Sequence, residues 1–230
     1  MDLLSKKTSG KTDRPIRVLQ FGEGNFLRGF VDQMIDIANE KGVFDGDVVI
    51  VKPTDRGGLD KFKAQECQYT VILRGLTNGE AKSESRIVTC VADAVHPYLE
   101  YEKYMALASL ETLRFVVSNT TEAGIVFDET DRFEACPPRT FPGKLCKFLY
   151  ERYQAFHGDA SKGLVMLPAE LIDDNGKKLK ECVLRFARLW GLETGFEAWL
   201  DEACEFASTL VDRIIAGYPK DEAEVLCKEF

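Results

Sequence analysis

Two glycines one residue apart, Gly22 and Gly24, follow an apolar run of strand type at 16–21. From Asn25 onward the apolar side chains recur at helical spacing and share one face. A strand, a Gly-x-Gly turn and a helix are typical of sites that bind a dinucleotide pyrophosphate. The first glycine permits the tight turn, and the second lets the backbone approach the phosphates. The N-terminus of the helix offers unpaired N–H groups to them.

The third glycine of the usual dinucleotide motif would stand where this chain has Leu27. A bulky side chain there argues against the closest packing of helix on strand. Taken alone, the turn could also be a strand-to-helix connection that uses glycine because it is tight. The run 48–51 is continuously β-branched and predicts a second strand buried on both faces. It completes a strand–helix–strand unit, and this context favours the dinucleotide site.

The second strand is followed by Lys52, and Asp55 comes shortly after. In dinucleotide-binding domains an acid at this place binds the adenosine ribose hydroxyls. A cation could instead favour the 2′-phosphate of NADP. Alternatively, Lys52 points to solvent while Asp55 turns back to the ribose. The residues alone leave the choice between NAD and NADP open.

Asn119 and Thr120 follow a predicted strand at 113–118. The carboxyl ends of strands form the ligand-binding edge of open α/β sheets, so small polar residues here are candidates for a site. In the competing interpretation, Thr120 or Thr121 is the N-cap of a helix with a glutamate downstream. The two interpretations are compatible.

Glu170 stands just beyond another predicted strand, 163–167. Its carboxylate could line a polar substrate or belong to a solvated turn, and the sequence does not decide between them. Asp173 and Asp174, which follow, are typical of a solvated turn.

Strands and helices alternate along the chain, which predicts an α/β fold with a doubly wound, mostly parallel Rossmann-type sheet. Two alternating strands, 68–75 and 85–91, predict an antiparallel insertion. Helices are predicted at 26–41, 98–110, 143–156, 177–189 and 196–203, with an apolar segment at 206–215 and a charged tail at 220–230. Residues 1–14 are expected to form a flexible arm, and residues 15–230 a single nucleotide-binding domain.

Composition excludes several functional classes. The formal net charge of −8 argues against binding to nucleic acid. No run approaches the ~20 apolar residues of a membrane span, and residues 1–15 lack the apolar segment of a signal peptide. Seven widely spaced cysteines without C-x-x-C predict reduced thiols in a cytoplasmic protein. His96 and His157 lie far apart, so no metal site is expected, and His157 is predicted to be an exposed residue at a helix end.

Four stretches together resemble one family, the long-chain polyol and hexuronate dehydrogenases related to mannitol dehydrogenase. They are QFGEGNFLRGFVD (20–32), FVVSNTTEAGI (115–125), LPAELIDDNG (167–176) and STLVDRI (208–214). The first stretch is shared across the family. The second and third resemble its tagaturonate-reducing branch more specifically, and they separate the chain from fructuronate reductase and mannitol dehydrogenase, which are alternatives within the family.

The resemblance implies NAD as cofactor and reversible hydride transfer at C3 of a sugar acid, from the hexuronate D-tagaturonate to the aldonate D-altronate. It identifies Leu27 as part of the family's own G-x-G-N-F-x-R variant, and a basic residue before proline after the second strand as a feature of NAD-using members. The residues that it assigns to cofactor binding are Leu19, Gln20, Phe21, Gly22, Glu23, Gly24, Asn25, Phe26, Leu27, Arg28, Asn119 and Thr120.

The chain departs from the family in one respect. Members are longer and carry a second, mostly helical domain with a catalytic lysine in a K…N-x-x-H arrangement, which this sequence lacks. The resemblance therefore implies no catalytic residue here, weak or absent NAD binding by this chain alone, and no turnover. Apolar residues at 206–215 and in the tail through Leu226 are expected to be exposed and to permit self-association. A stand-alone NAD-binding module without catalysis is the alternative.

Overall fold

A computed structural model describes residues 3–121 and 124–229. Its strands are β1 (Ile16–Phe21), β2 (Asp47–Val51), β3 (Tyr69–Thr77), β4 (Glu80–Val88), β5 (Val91–Val95), β6 (Phe115–Ser118), β7 (Val165–Pro168) and β8 (Glu205–Phe206). Six of them form a parallel sheet in the order β5-β2-β1-β6-β7-β8. The remaining two, β3 and β4, pair as an antiparallel hairpin.

The order of the strands reverses in the middle of the large sheet. From β1 the chain proceeds outward to β2 and β5, then returns to place β6 on the other side of β1. Ligands of open α/β sheets bind at the carboxyl ends of the strands beside such a reversal. The structure thus confirms the predicted doubly wound, mostly parallel sheet, and the hairpin confirms the antiparallel insertion.

The inner strands are apolar throughout because both faces of the sheet are covered. All five residues of β2 are buried. Alternate residues enter different cores: Leu19, Phe21, Val49 and Val51 pack on one face, and Val18, Val48 and Ile50 pack on the other. This is the pattern that a parallel sheet between two helical layers requires.

The helices are α1 (Lys6–Ser9), α2 (Asn25–Gly29), α3 (Val31–Glu40), α4 (Asp60–Ala64), α5 (Tyr101–Ala106), α6 (Phe141–Ala155), α7 (Asn175–Leu189), α8 (Thr194–Glu202) and α9 (Ala223–Glu229). The predicted helices at 143–156, 177–189 and 196–203 are confirmed as α6, α7 and α8, each beginning two residues earlier than predicted. Thr140 caps α6 by accepting a hydrogen bond from the Gly143 N–H at 3.1 Å. Among the described residues, no helix has the length and apolar character to cross a membrane.

The single helix predicted at 26–41 is wrong, because the chain breaks at Phe30 into α2 and α3. Phe30 has φ −123° and ψ −79°, outside the helical region. The carbonyl oxygen of Arg28 accepts a hydrogen bond from the Tyr69 hydroxyl at 3.1 Å. A side chain of the hairpin thus binds the backbone next to the break, a long-range contact that local spacing does not reveal.

Two other predictions need correction. The strand predicted at 85–91 is in fact the end of β4 and the start of β5, which leaves the hairpin and pairs with β2. The apolar run from Val88 to Val91 hides this change of partner, because it contains no turn residue. The helix predicted at 98–110 is also shorter, since α5 covers only Tyr101–Ala106 and a 3₁₀ turn follows at Leu107–Ser109.

Residues 3–14, which belong to the expected flexible arm, contact the large sheet in this structure. The Lys11 ammonium lies 2.6 Å from the Asp47 carboxylate and 2.8 Å from the Thr89 carbonyl oxygen. Asp47 is buried, so this ion pair compensates a charge at the start of β2. The flexibility of the arm stays a prediction, and these contacts argue against it for the part around Lys11.

Candidate functional site

The turn after β1 requires a glycine at position 22 for two separate reasons. Gly22 has φ +132°, a conformation that L side chains rarely adopt. A Cβ atom at this position would also lie 2.9 Å from the backbone carbonyl oxygen of Asn119, at the end of β6. The Gly22 N–H donates to the Val51 carbonyl oxygen at 3.1 Å, so the same residue continues the pairing with β2. The turn is therefore wedged between two neighbouring strand ends.

The space above the turn is open at Gly24. A Cβ atom there would meet no protein atom within 4 Å, and Gly24 has ordinary extended dihedral angles. Gly24 precedes α2 without a side-chain cap, so the first N–H groups of α2 keep no partner within the helix. Asn25 is exposed, and its Oδ1 accepts from the Arg28 guanidinium at 2.5 Å. These N–H groups and the free space above them suit an anionic ligand.

Leu27 fills the space beneath the turn. Its side chain is buried in the same apolar cluster as Val18, Ile50 and Val117. Its Cδ1 atom would lie 3.3 Å from a Cβ at position 22. Leu27 in the place of the third glycine is thus a core residue of this turn, and the helix still approaches the strand.

Arg28 lies over two neighbouring aromatic rings. Its guanidinium carbon lies 5.4 Å from the ring centroids of both Phe62 and Tyr69. Its Nε atom is buried and has no hydrogen-bond partner among the described residues. Since the same guanidinium also donates to Asn25 at the start of α2, it places a positive charge beside the turn.

Lys52, at the end of β2, is turned inward. Its side chain is 4% exposed, and its Nζ atom lies 2.6 Å from Oε1 of Glu23, between the two glycines. The alternative in which Lys52 points to solvent is therefore wrong. Asp55 is exposed and lies outside this ion pair.

Glu170 fixes the end of β6. It is 1% exposed, and its carboxylate accepts hydrogen bonds from the Ser118 hydroxyl at 2.9 Å and from the Thr120 N–H and hydroxyl at 3.0 and 2.9 Å. Asn119 donates from Nδ2 to the Ala169 carbonyl oxygen at 2.7 Å. Glu170 therefore neither lies in a solvated turn nor lines a substrate site, because its carboxylate is buried and already hydrogen-bonded.

No helix follows Thr120 in the described chain before Phe141, so the N-cap interpretation is not met there. Glu122, the acid that such a cap would use, lies outside the described residues. The Thr120 hydroxyl and N–H both donate to Glu170, so only its backbone carbonyl group is left to meet a ligand.

Asn175 supports the site in a way that the sequence alone does not indicate. It is fully buried, and its Nδ2 donates to the carbonyl oxygens of Pro168, Glu170 and Thr209 at 3.0 to 3.1 Å. Its Oδ1 accepts from the Thr209 N–H at 2.9 Å. The amide thus ties the loop after β7 to the segment after β8. The sequence Asp-Asp-Asn-Gly resembles a solvated turn, and only the contacts show its role.

These elements surround an open cleft of about 740 Å³ at the carboxyl edge of the sheet. Its lining residues come from α2, the loops after β6 and β7, and the segment after β8, and they are Phe26, Asn119, Thr121, Ala169, Leu171, Val211, Asp212 and Arg213. Apolar and polar groups alternate around it, as in many small-molecule sites. Phe26 and Asn119 are the predicted site residues that the fold brings together here.

The predicted site residues of β1 lie beneath the turn. Leu19 and Phe21 are buried in the core, and the Phe21 ring packs 5.0 Å from that of Phe141. Gln20 is also buried, and its Nε2 donates to the carbonyl oxygen of Gly22 at 3.1 Å. These side chains support the turn from below.

A buried acid, Asp32, completes this support. Its Oδ2 accepts from the Tyr69 hydroxyl at 2.9 Å and from Gln20 at 3.4 Å. Burial raises the pKa of the Asp32 carboxyl from 3.8 to about 7. Its Oδ1 and the Gln20 Oε1 have no hydrogen-bond partner in the structure, an arrangement that a protonated carboxyl relieves by donating a proton.

The described residues hold no group of three or more His, Cys, Asp or Glu side chains arranged for a metal ion. Lys144 is a buried amine whose pKa burial lowers to about 8, but it donates to the Arg139 carbonyl oxygen at 2.6 Å and is absent from the cleft lining. The site as described is equipped to bind an anionic ligand at the turn, beside an open cleft.

Comparison with known proteins identifies the domain. Residues 16–230 match the family model of the mannitol dehydrogenase Rossmann domain. Altronate oxidoreductase of Bacillus subtilis is 50% identical over 213 residues, and that of Phocaeicola vulgatus is 46% identical over 222 residues. The matches cover 93% and 96% of this chain but only 44% and 46% of those proteins. The chain therefore spans about half the length of the curated relatives that it matches.

Two solved structures share the fold. Mannitol 2-dehydrogenase of Pseudomonas fluorescens, in a ternary complex with NAD and D-mannitol, superimposes with a TM-score of 0.82 at 20% identity and covers 98% of this chain and 50% of that protein. D-sorbitol dehydrogenase in substrate-free form gives a TM-score of 0.76 at 20% identity, covering 99% of this chain and 51% of that protein.

The buried carboxyl predicts a pH-dependent stability. Because its pKa is raised in the folded state, the folded protein binds this proton more tightly than the unfolded chain does. Asp32 then contributes most to stability below about pH 4, and the contribution is lost as the pH rises to about 7. Asp32→Asn removes the titration while it keeps an acceptor for Tyr69 and adds a donor for Gln20.

We expect the melting temperature of Asp32→Asn, minus that of the unsubstituted chain, to increase as the pH rises from about 4 to about 7. Thermal unfolding followed by circular dichroism measures both melting temperatures. The exposed Asp60→Asn is the matched control. Parallel pH profiles for Asp32→Asn and the unsubstituted chain would contradict a raised pKa at Asp32.

Proposed function

Because the chain belongs to the mannitol dehydrogenase family, we propose that it is the dinucleotide-binding part of an oxidoreductase that uses NAD(H) to interconvert D-tagaturonate and D-altronate. The relatives named altronate oxidoreductase, at 46–50% identity, support the substrate. The turn itself is the observation that supports a dinucleotide cofactor. Gly22 is required there by its positive φ and by its contact with Asn119, and the space above Gly24 is free. The proposal concerns the longer protein of which such a chain would supply one half.

The residues around the turn fit a dinucleotide. The pyrophosphate would be held by the N–H groups that follow Gly24 and by the positive charge of Arg28. The nicotinamide ring would occupy the cleft beside Phe26 and Asn119. Bound NAD(H) supplies the hydride that is exchanged with the sugar acid. The N–H groups after Gly24, Arg28, Phe26 and Asn119 bind and orient the cofactor. Gln20, Asp32 and Glu170 hold the loops that carry them.

We assign no catalytic acid or base to this chain. Proton transfer to a carbonyl oxygen needs a free side chain within hydrogen-bond reach of it. The buried Glu170 carboxylate already accepts three hydrogen bonds from Ser118 and Thr120. We propose that the group which exchanges the proton belongs to the part of the protein that the relatives carry beyond this domain.

The proposed self-association concerns the segment after β8. Leu210 and Ile214 are 90% and 94% exposed, whereas Leu226 in the tail is buried. A second copy that covers Leu210 and Ile214 would remove apolar surface from water. This stays a prediction, and a strictly monomeric sedimentation profile at high concentration would speak against it.

Dinucleotide binding tests the proposal directly. Titration of NADH into the 230-residue chain to millimolar concentration should shift the amide NMR signals of residues 22–27. Gly24→Val places a side chain in the free space without strain, because the dihedral angles of Gly24 suit any residue. We expect it to weaken binding about tenfold or more, through the loss of phosphate contacts.

Gly75→Val is the matched control, since Gly75 also faces open space but lies in the hairpin. It should bind NADH as the unsubstituted chain does. Equal binding by Gly24→Val, or shifts confined to other parts of the chain, would contradict a phosphate site at this turn.

We assign no catalytic group to the described residues, and we therefore predict no turnover by this chain. Purified chain mixed with D-altronate and NAD should give no increase in NADH absorbance, while altronate oxidoreductase of Bacillus subtilis serves as the positive control in the same buffer. Measurable altronate-dependent NAD reduction by the 230-residue chain would contradict the assignment of the proton-transfer group to another part of the protein.

A further inference from the structure

Glu23 and Lys52 form an ion pair at the point where the glycine turn meets the end of β2. The Lys52 Nζ atom lies 2.6 Å from Glu23 Oε1, and the two side chains are 4% and 33% exposed. Among the described residues, the second carboxylate oxygen of Glu23 has no hydrogen-bond partner. The pair thus combines a buried cation with a carboxylate that is partly exposed.

The sheet register brings the two residues together. Phe21 pairs with Val51 in the parallel ladder, and the Gly22 N–H extends this pairing to the Val51 carbonyl oxygen at 3.1 Å. The Lys52 N–H donates to the Val95 carbonyl oxygen at 3.0 Å, which anchors the start of the next loop. Residues 23 and 52 are therefore the first side chains beyond the paired strand ends, and their meeting does not depend on a mobile loop.

The positions of the acid and the cation in this pair differ from those in most dinucleotide-binding domains. In dinucleotide-binding domains the acid that meets the adenosine ribose stands at the end of the second strand. Here that place holds Lys52, and the acid comes from the glycine turn. The charge of Lys52 is already compensated at 2.6 Å, so it is not available to an additional phosphate. A 2′-phosphate next to the pair would face the Glu23 carboxylate, a like charge in a partly desolvated site.

We propose that Glu23 and Lys52 together make this site select the dinucleotide without a 2′-phosphate. Glu23 takes the place of the missing acid toward the ribose hydroxyls, and at the same time it neutralises the cation that would otherwise attract the phosphate. This rests on the proposed dinucleotide site. Asp55 is exposed and lies outside the pair, and we expect it to take no part in the selection.

The test is a double-mutant cycle on the 230-residue chain, read out as dissociation constants for NAD and NADP from NMR titration. Glu23→Gln keeps the size and an acceptor for Lys52 but removes the negative charge. We expect it to shift the ratio of the two constants toward NADP by about tenfold or more. Lys52→Met leaves the carboxylate unpaired and should shift the ratio in the opposite direction, toward NAD.

Adding Lys52→Met to Glu23→Gln should abolish most of the gain for NADP, because the gain depends on the freed cation. Glu111→Gln is the matched control, since Glu111 forms an exposed ion pair with Lys162 away from the site. Asp55→Asn should leave the ratio unchanged. Circular dichroism checks that each variant is folded. If Glu23→Gln does not fold, the change in the ratio for Lys52→Met tests the proposal by itself.

A ratio unchanged within about twofold in both single variants would overturn the proposal. An equal loss of both dinucleotides in Glu23→Gln would overturn it as well, because it would give Glu23 a role in the shape of the turn only. A change in the ratio of the NAD and NADP dissociation constants in Asp55→Asn would show that Asp55 takes part in the selection. If the unsubstituted chain binds neither dinucleotide, the proposed dinucleotide site fails in this chain, and this inference fails with it.

Discussion

The site depends on a contact between two backbones with no side chain between them. The turn after β1 passes so close to the carbonyl group of Asn119 that even a methyl group at position 22 would collide with it. The same residue must adopt φ +132° and also donate its N–H to β2. Three strand ends therefore converge on one glycine, and the free space above Gly24 and the adjoining cleft follow from that convergence.

The polar residues beneath this surface serve mainly to hold it. Glu170 accepts three hydrogen bonds from the end of β6, and Asn175 ties the loop after β7 to the segment after β8. Asp32 joins α3 to the hairpin through Tyr69. Buried polar groups of this kind are costly unless they are paired, so they fix one arrangement of the loops. The same engagement leaves them unable to react, which agrees with a domain that binds and orients a cofactor.

The sequence predicts much of the fold because its strands are buried on both faces and read as continuous apolar runs. The helices α6, α7 and α8 are predictable because their apolar residues recur at helical spacing. The failures have a common physical cause in contacts between distant residues. The break at Phe30 lies beside a hydrogen bond from Tyr69, and the change of partner between β4 and β5 has no local turn residue to mark it.

The candidate site shows the same division. Gly22, Gly24 and Asn119 are predictable because the turn and the strand end have local patterns. The roles of Lys52, Glu170 and Asn175 are not, because each depends on which side chain lies opposite in space. Leu27 is intermediate: the resemblance to the family explains its type, and the structure explains its place in the core.

A crystal structure of this chain grown with NADH tests the dinucleotide site most directly. We expect the pyrophosphate over Gly24, within hydrogen-bond distance of the first N–H groups of α2, and the adenosine ribose beside Glu23 rather than Asp55. A dinucleotide bound elsewhere, or a turn at Gly22 that has moved away from Asn119 to admit it, would contradict a phosphate site at this turn.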